Sequence, residues 1–234
     1  MSGHSKWATT KRAKAVNDAK RSSLFTKLSK NISMAAREGA DPEANFKLRI
    51  AIDKARAYSM PKDNIDRAVK KGSGDLAGVR LESFMYEAYG PGGIALMIEV
   101  ITDNKNRSVS NLKHILNKYG GNLGNEGSVK WMFSAKGQIV LDKEELSDEE
   151  ELKIIEAGAE DILKEEQIKI ITSLEDLKSV RDKIHSANFK IESSEITYLA
   201  KDKVRSENEE SVLAFLDLLD DDDDVNNIYT NADI

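Results

Sequence analysis

The apolar positions of this chain repeat first at helical spacing, then at strand spacing, and the changeover divides the sequence. Phe25, Leu28, Ile32 and Ala35 recur at three and four, the period of an amphipathic helix. Gly39 stops that helix and Asp41-Pro42 opens the next, whose stripe is Leu48, Ala51, Ile52, Ala55 and Tyr58. Met60-Pro61 starts a third, with Ile65, Ala68 and Val69 on its inner face and Gly72 as its stop. Lys70 and Lys71 fall in its last turn, where cations suit the helix dipole. Residues 1–75 are therefore expected to form a small all-helical domain closed by the linker Gly72-Ser73-Gly74-Asp75.

The texture changes at Leu81. Ser83 to Tyr89 alternates loosely and Ile94 to Ile101 is largely apolar and β-branched, with Gly90-Pro91-Gly92-Gly93 between them, the pattern of a hairpin. Thr102-Asp103-Asn104 caps a helix with the stripe Val109, Leu112, Leu116 and Tyr119, ending at Gly120-Gly121. Val129 to Phe133 is expected to be another strand. From Gly137 the order is strand (Gln138–Leu141), helix, strand, strand (Gln167–Ile171), helix, strand (Phe189–Leu199), the split βαββαβ unit. Its helices carry Ser147 with Glu150 and Ser173 with Asp176 as caps, and the expected inward stripes are Leu152, Ile155, Ala159 and Leu177, Val180, Ile184. A last helix (Val212, Phe215, Leu216, Leu219) and strand (Val225 to Thr230) have no sheet of their own, while residues 81–133 lack a second helix and a last strand. The fold class expected is α+β: a helical domain (1–75) followed by two ferredoxin-like α+β domains, one built from 76–135 and 201–234, the other, 136–200, inserted in it.

One stretch fits none of this. Up to Ser23 the only sizeable apolar side chains are Trp7 and Val16 (Met1 aside), while residues 1–30 hold eight bases (Lys6, Lys11, Arg12, Lys14, Lys20, Arg21, Lys27, Lys30) against one acid, Asp18. Such a segment can be helical but has little to bury, so it reads as a cationic arm open to a polyanion. Charge follows the same division. Residues 1–74 carry 17 Lys and Arg against 7 Asp and Glu; the remainder carries 18 against 34, for −6 overall. A basic head on an acidic body suggests a polyanion-binding module joined to something that does not bind polyanions.

Composition narrows the chemistry. The chain has no cysteine, which excludes a disulfide scaffold, a thiolate zinc site and a cysteine nucleophile. No secretory segment or run of membrane-spanning length is read, so the expected location is cytoplasmic, with no membrane partner. His4, His114 and His185 are far apart with no metal-ligand spacing. Asp220–Asp224 lacks the glycine and distal glutamate of a calcium loop and reads as a solvated acidic turn. Gly90-Pro91-Gly92-Gly93 lacks the Lys-Ser/Thr of a phosphate loop. Met60-Pro61-Lys62-Asp63-Asn64 and Asp103-Asn104-Lys105-Asn106-Arg107 are explained by capping or, in the second case, by an anion or partner site. No nucleophile elbow, zincin or deaminase signature occurs, and no active site is assembled. No catalytic residue, metal or cofactor is expected.

Gly3-His4-Ser5-Lys6-Trp7, Asp18-Ala19-Lys20-Arg21, Phe25-Thr26-Lys27-Leu28, Asp41-Pro42-Glu43-Ala44-Asn45, Met60-Pro61-Lys62-Asp63-Asn64-Ile65, Tyr89-Gly90-Pro91-Gly92-Gly93, Thr102-Asp103-Asn104-Lys105-Asn106-Arg107, Gly120-Gly121-Asn122-Leu123-Gly124 and Gly127-Ser128-Val129-Lys130-Trp131-Met132-Phe133 together resemble the YebC/PmpR family. The likeness is dense from 3 to 137 and weaker in the inserted unit; Ala8-Thr9-Thr10-Lys11-Arg12 is more polar than the family pattern. The resemblance implies a three-domain, non-enzymatic regulator of gene expression. Bacterial members are described as DNA-binding transcriptional regulators, mitochondrial relatives as translational activators, and some bacterial members act on ribosomes. It also implies function at Lys62, Asn64, Arg67, Asn104 and Arg107. The expected nucleic-acid contacts are His4, Lys6, Trp7, Lys11, Arg12, Lys14, Lys20, Arg21, Lys27, Lys62, Asn64, Arg67, Lys70 and Lys71, with Asn104 and Arg107 as partner contacts. The expected partner is DNA, read by a transcriptional regulator, or ribosomal RNA and the ribosome, bound by a translation factor.

Overall fold

The computed structural model describes residues 18–77, 79–206 and 208–234. The helical part consists of α1 (Asp18–Ala36), α2 (Phe46–Ala57) and α3 (Lys62–Ser73). Their apolar stripes meet in one core of Leu28, Ile32, Leu48, Ile52, Ala55, Met60, Ile65 and Ala68. Asn45 fixes the turn between α1 and α2: its Oδ1 accepts from Leu48 N at 3.1 Å, and its amide donates to the Ala35 and Gly39 carbonyls at 2.8 Å each. Gly72 does not end α3. It lies within it, and Gly74, at φ +89°, takes the left-handed cap position. Gly72 is needed for another reason: a Cβ there would collide with the Ser33 carbonyl and come within 2.7 Å of the Ala36 Cβ. The absent side chain lets α3 lie directly against α1.

The first sheet contains β1 (Glu82–Tyr89), β2 (Ala95–Thr102), β3 (Asn122–Leu123) and β9 (Val225–Thr230) in the antiparallel order β3-β1-β2-β9. Strand β9 therefore pairs with β2, from which it is separated by more than a hundred residues. Helices α4 (Lys105–Lys118) and α7 (Glu209–Asp220) cover one face, packing Leu112, Leu116, Phe215 and Leu219 on Leu96, Ile98 and Val100. Ala95 and Met97 point the other way, into a second cluster with Val129 and Phe133. Burial on both faces explains why β2 is apolar from Ala95 to Ile98 without a break.

Val129 to Phe133 is not a strand. Lys130–Met132 forms a 3₁₀ turn, and β4 runs unbroken from Phe133 to Leu141. The expected boundary at 135/136 thus falls inside one strand, because β4 pairs with β7 (Ile191–Ala200) along its whole length, Phe133 opposite Ala200 to Leu141 opposite Ile191. With β5 (Asp161–Lys164) and β6 (Ile168–Thr172) these make the second sheet, β5-β6-β4-β7, covered by α5 (Asp148–Ala157) and α6 (Leu177–Ser186). Ser147 and Glu150 form the expected capping box. The α5 stripe differs: Leu152 and Ile155 are exposed, and Ile154 with Ala157 faces the sheet. Three apolar residues within four positions offer two possible faces, and packing against α6 selects one. A short parallel pair, β8 (Val204–Arg205) with β10 (Ala232–Asp233), completes the chain.

Candidate nucleic-acid interface

The close approach of α1 and α3 leaves a cleft of about 440 Å³ along them, reached also by Lys30 and Leu81. Helix α1 supplies Ser22, Phe25, Thr26 and Ser29 to it, and α3 supplies Asn64, Arg67 and Lys71. The floor is held by Ser33, whose hydroxyl donates to the Ala68 carbonyl at 2.8 Å. Lys62, Arg67, Lys70 and Lys71 are all exposed, and none forms an ion pair with any described residue. Arg21, one turn before Phe25, is also exposed and lies over the Phe25 ring at 5.3 Å. Cations, an amide and hydroxyls around one cleft match the chemistry that takes up phosphate oxygens.

The rest of the expected site divides. His4, Lys6, Trp7, Lys11, Arg12 and Lys14, and the side chain of Lys20, lie outside the described residues. Lys27 is placed otherwise than expected. It is buried, and its ammonium donates to the Asp220 carbonyl and, at 3.2 Å, to the Asp220 carboxylate. Lys27 sits beside Leu28 on the inner side of α1, so it turns toward the body rather than to solvent.

Asp220–Asp224 is not the solvated acidic turn that its composition suggests. Lys30 donates to the Ile101 and Asp223 carbonyls at 2.9 and 2.7 Å and to Asp224 Oδ1 at 3.0 Å. The other oxygen of Asp224 accepts from Arg107 at 2.8 Å, Ser108 at 2.8 Å and Thr102 at 3.2 Å. Burial pushes the Asp224 carboxyl up, but Arg107, Ser108 and Lys30 outweigh it and hold its pKa at about 2. Asn104 and Arg107 belong to this cluster. Asn104 caps α4 through Arg107 N, and the half-exposed Arg107 also binds Asp103 at 2.9 Å. Ser108 is buried where the apolar spacing points to Val109, because its hydroxyl is required by Asp224.

A second link joins the helices to the inserted sheet. Arg181 binds Asp53 at 2.6 Å, and Lys54 pairs with Glu195. Burial works against the Lys54 ammonium, but the Glu195 carboxylate more than offsets it and keeps its pKa above the ordinary value. The three packed units are thus held by charge pairs on both sides of α1 and α2.

Sequence reasoning missed the hydroxyls of the cleft. Ser22, Thr26, Ser29 and Ser33 recur at four, three and four beside the apolar stripe of α1, a polar row on the next helix face. That spacing is the signal that could have found them. Among the described residues no group of three or more His, Asp or Glu could hold a metal ion, and no helix is long and apolar enough to cross a membrane.

Two family models match the chain: the TACO1/YebC protein N-terminal domain over residues 5–75, and the TACO1/YebC second and third domain over residues 81–232. A probable transcriptional regulatory protein of Desulforapulum autotrophicum is 48% identical over 240 residues, covering 100% of this chain and 97% of that protein. One from Natranaerobius thermophilus is 48% identical over 242 residues, with the same coverage. The crystal structure of a conserved hypothetical protein from Aquifex aeolicus superposes with a TM-score of 0.82 at 41% identity, covering 92% of this chain and 91% of that one.

Proposed function

The chain belongs to the TACO1/YebC family, and from that premise we propose that it is a non-enzymatic, nucleic-acid-binding regulator of gene expression that acts through its basic helical domain. Relatives named as probable transcriptional regulatory proteins support transcriptional control as the outcome, and DNA is the target that this reading assigns. The observation that carries the reading is the α1–α3 cleft, where Arg67, Lys71, Asn64 and four hydroxyls converge and the cations of α3 have no carboxylate partners among the described residues. The net-acidic body would repel a polyanion and confine contact to the head.

A second reading rests on the chemistry of the same cleft. Its cations, amide and hydroxyls suit phosphate and sugar oxygens, contacts that fix position without reading sequence. Ribosomal RNA offers the same groups. A competition separates the two: whole protein is offered intact ribosomes and a pool of genomic duplex fragments at physiological salt, and the bound nucleic acid is sequenced. Enrichment of a few duplex sites is the expected result for a transcriptional regulator. Capture of ribosomes with only unselected DNA replaces that reading by a translation factor.

A further inference from the structure

Trp131 is 63% exposed, the most exposed aromatic among the described residues, on the 3₁₀ turn that leads into β4. The turn sorts its side chains: Val129 and Phe133 go into the core, Met132 is half-buried, and Trp131 is thrown outward. The ring is nevertheless fixed. Its indole N–H donates to the Ser128 carbonyl at 3.0 Å, and Tyr89 Oη donates to the same carbonyl at 3.0 Å. Glu87, buried beneath the loop, accepts from the backbone N–H groups of Gly127, Val129 and Lys130 at 2.7, 2.7 and 2.8 Å. Burial raises the Glu87 pKa, but those three donors outweigh it and hold the carboxyl below its ordinary value.

The surroundings of the ring are cationic rather than apolar. Lys130 precedes it and is exposed, and Lys201 donates to the Trp131 carbonyl at 2.8 Å. Neither lysine forms a direct ion pair with a described carboxylate, although the Lys130 charge also acts on buried Glu87, and an ammonium holding one carbonyl has two donors left. No described aromatic stacks on the Trp131 face. A protein anchor would be ringed by apolar side chains that exclude water. A fixed indole flanked by unpaired ammonium groups instead matches the combination that holds single-stranded nucleic acid, a stacking platform with phosphate contacts beside it.

We propose that Trp131, with Lys130 and Lys201, forms a second nucleic-acid contact on the body of the protein, which stacks one unpaired base and holds its flanking phosphate. Duplex DNA does not satisfy it, because its bases are already stacked on one another. The site is independent of the α1–α3 cleft and stands whichever target that cleft takes.

The chain has two tryptophans, Trp7 and Trp131, so in a Trp7→Phe background the emission reports Trp131 alone. The full-length protein in that background is titrated with single-stranded oligonucleotides of about 12 residues, a length within the usual span of such sites, and with a duplex of the same sequence. The expected result is saturable quenching by the single strand and none by the duplex. Read by the anisotropy of an end-labelled oligonucleotide, which needs no tryptophan, single-strand affinity should fall about tenfold on adding Trp131→Ala and less with Trp131→Phe, and its salt dependence should be reduced by Lys201→Glu. Because Trp131 is exposed, circular dichroism should be unchanged by its replacement. Absence of quenching, equal quenching by the duplex, or unchanged affinity in Trp131→Ala would overturn the proposal.

Discussion

At the scale of single residues, Asp224 ties the most distant parts of the chain together. Its carboxylate gathers Lys30 from α1, Arg107 and Ser108 from α4 and Thr102 from the end of β2. Asp224→Ala leaves two cations and two buried hydroxyls without this acceptor, and the expected destabilisation is about 3 kcal/mol in chemical denaturation. Its pH dependence has a definite sign. With a folded pKa of about 2, below the usual value near 3.8, the ionised group stabilises the fold fully above the ordinary carboxylate range. That contribution disappears as pH falls from about 4 toward 2, so Asp224→Asn should flatten the stability curve in that window relative to the parent. Sequence could not show this role. Asp220–Asp224 looks like any acidic run, and its partners stand near residues 27, 30 and 107. By contrast, Asn104 and the Ser147–Glu150 box were legible, because a cap acts on residues three positions away. Asn45 was not: Asp41-Pro42 reads as the helix start, but the helix begins at Phe46 with Asn45 as its cap.

At the scale of elements, the packing of α1 on α3 makes the cleft. Glycine inside a helix ordinarily costs about 1 kcal/mol relative to alanine, so Gly72→Ala would be expected to stabilise an isolated α3. Here the added methyl meets the Ser33 backbone, which cannot swing aside as a side chain could. Gly72→Ala should therefore destabilise the protein by about 2 kcal/mol and weaken nucleic-acid binding with it, measured by thermal unfolding and titration together. Read from sequence alone, Gly72 takes the wrong duty, because a glycine near a helix end resembles a stop and a close approach is a property of two helices. The same limit applies to α5, where Leu152, Ile154 and Ile155 admit two inward faces. Longer stripes leave no such choice: Leu177, Val180 and Ile184, and Val212, Phe215, Leu216 and Leu219, are buried as their spacing requires.

At the scale of the whole molecule, charge is arranged rather than merely segregated. The acidic body of this chain uses Asp220, Asp223 and Asp224 to hold Lys27 and Lys30, and Asp53 of the basic head meets Arg181 on α6 of the inserted unit. These pairs orient the head, while α3 keeps Lys62, Arg67, Lys70 and Lys71 unpaired among the described residues. The basic head on an acidic body was visible in residue counts. Which of its bases point outward was not, since Lys27 and Lys71 are alike in sequence and opposite in place.

The measurement that bears most directly on this arrangement is the salt dependence of nucleic-acid binding by the full chain and by its Arg67→Glu, Lys71→Glu double variant. Each phosphate that is no longer neutralised should lower the slope of log affinity against log salt by about 0.9, so the double variant should bind at least tenfold more weakly with a slope smaller by about 2, its circular dichroism unchanged. An unchanged slope and affinity would show that the α1–α3 cleft takes no part in binding.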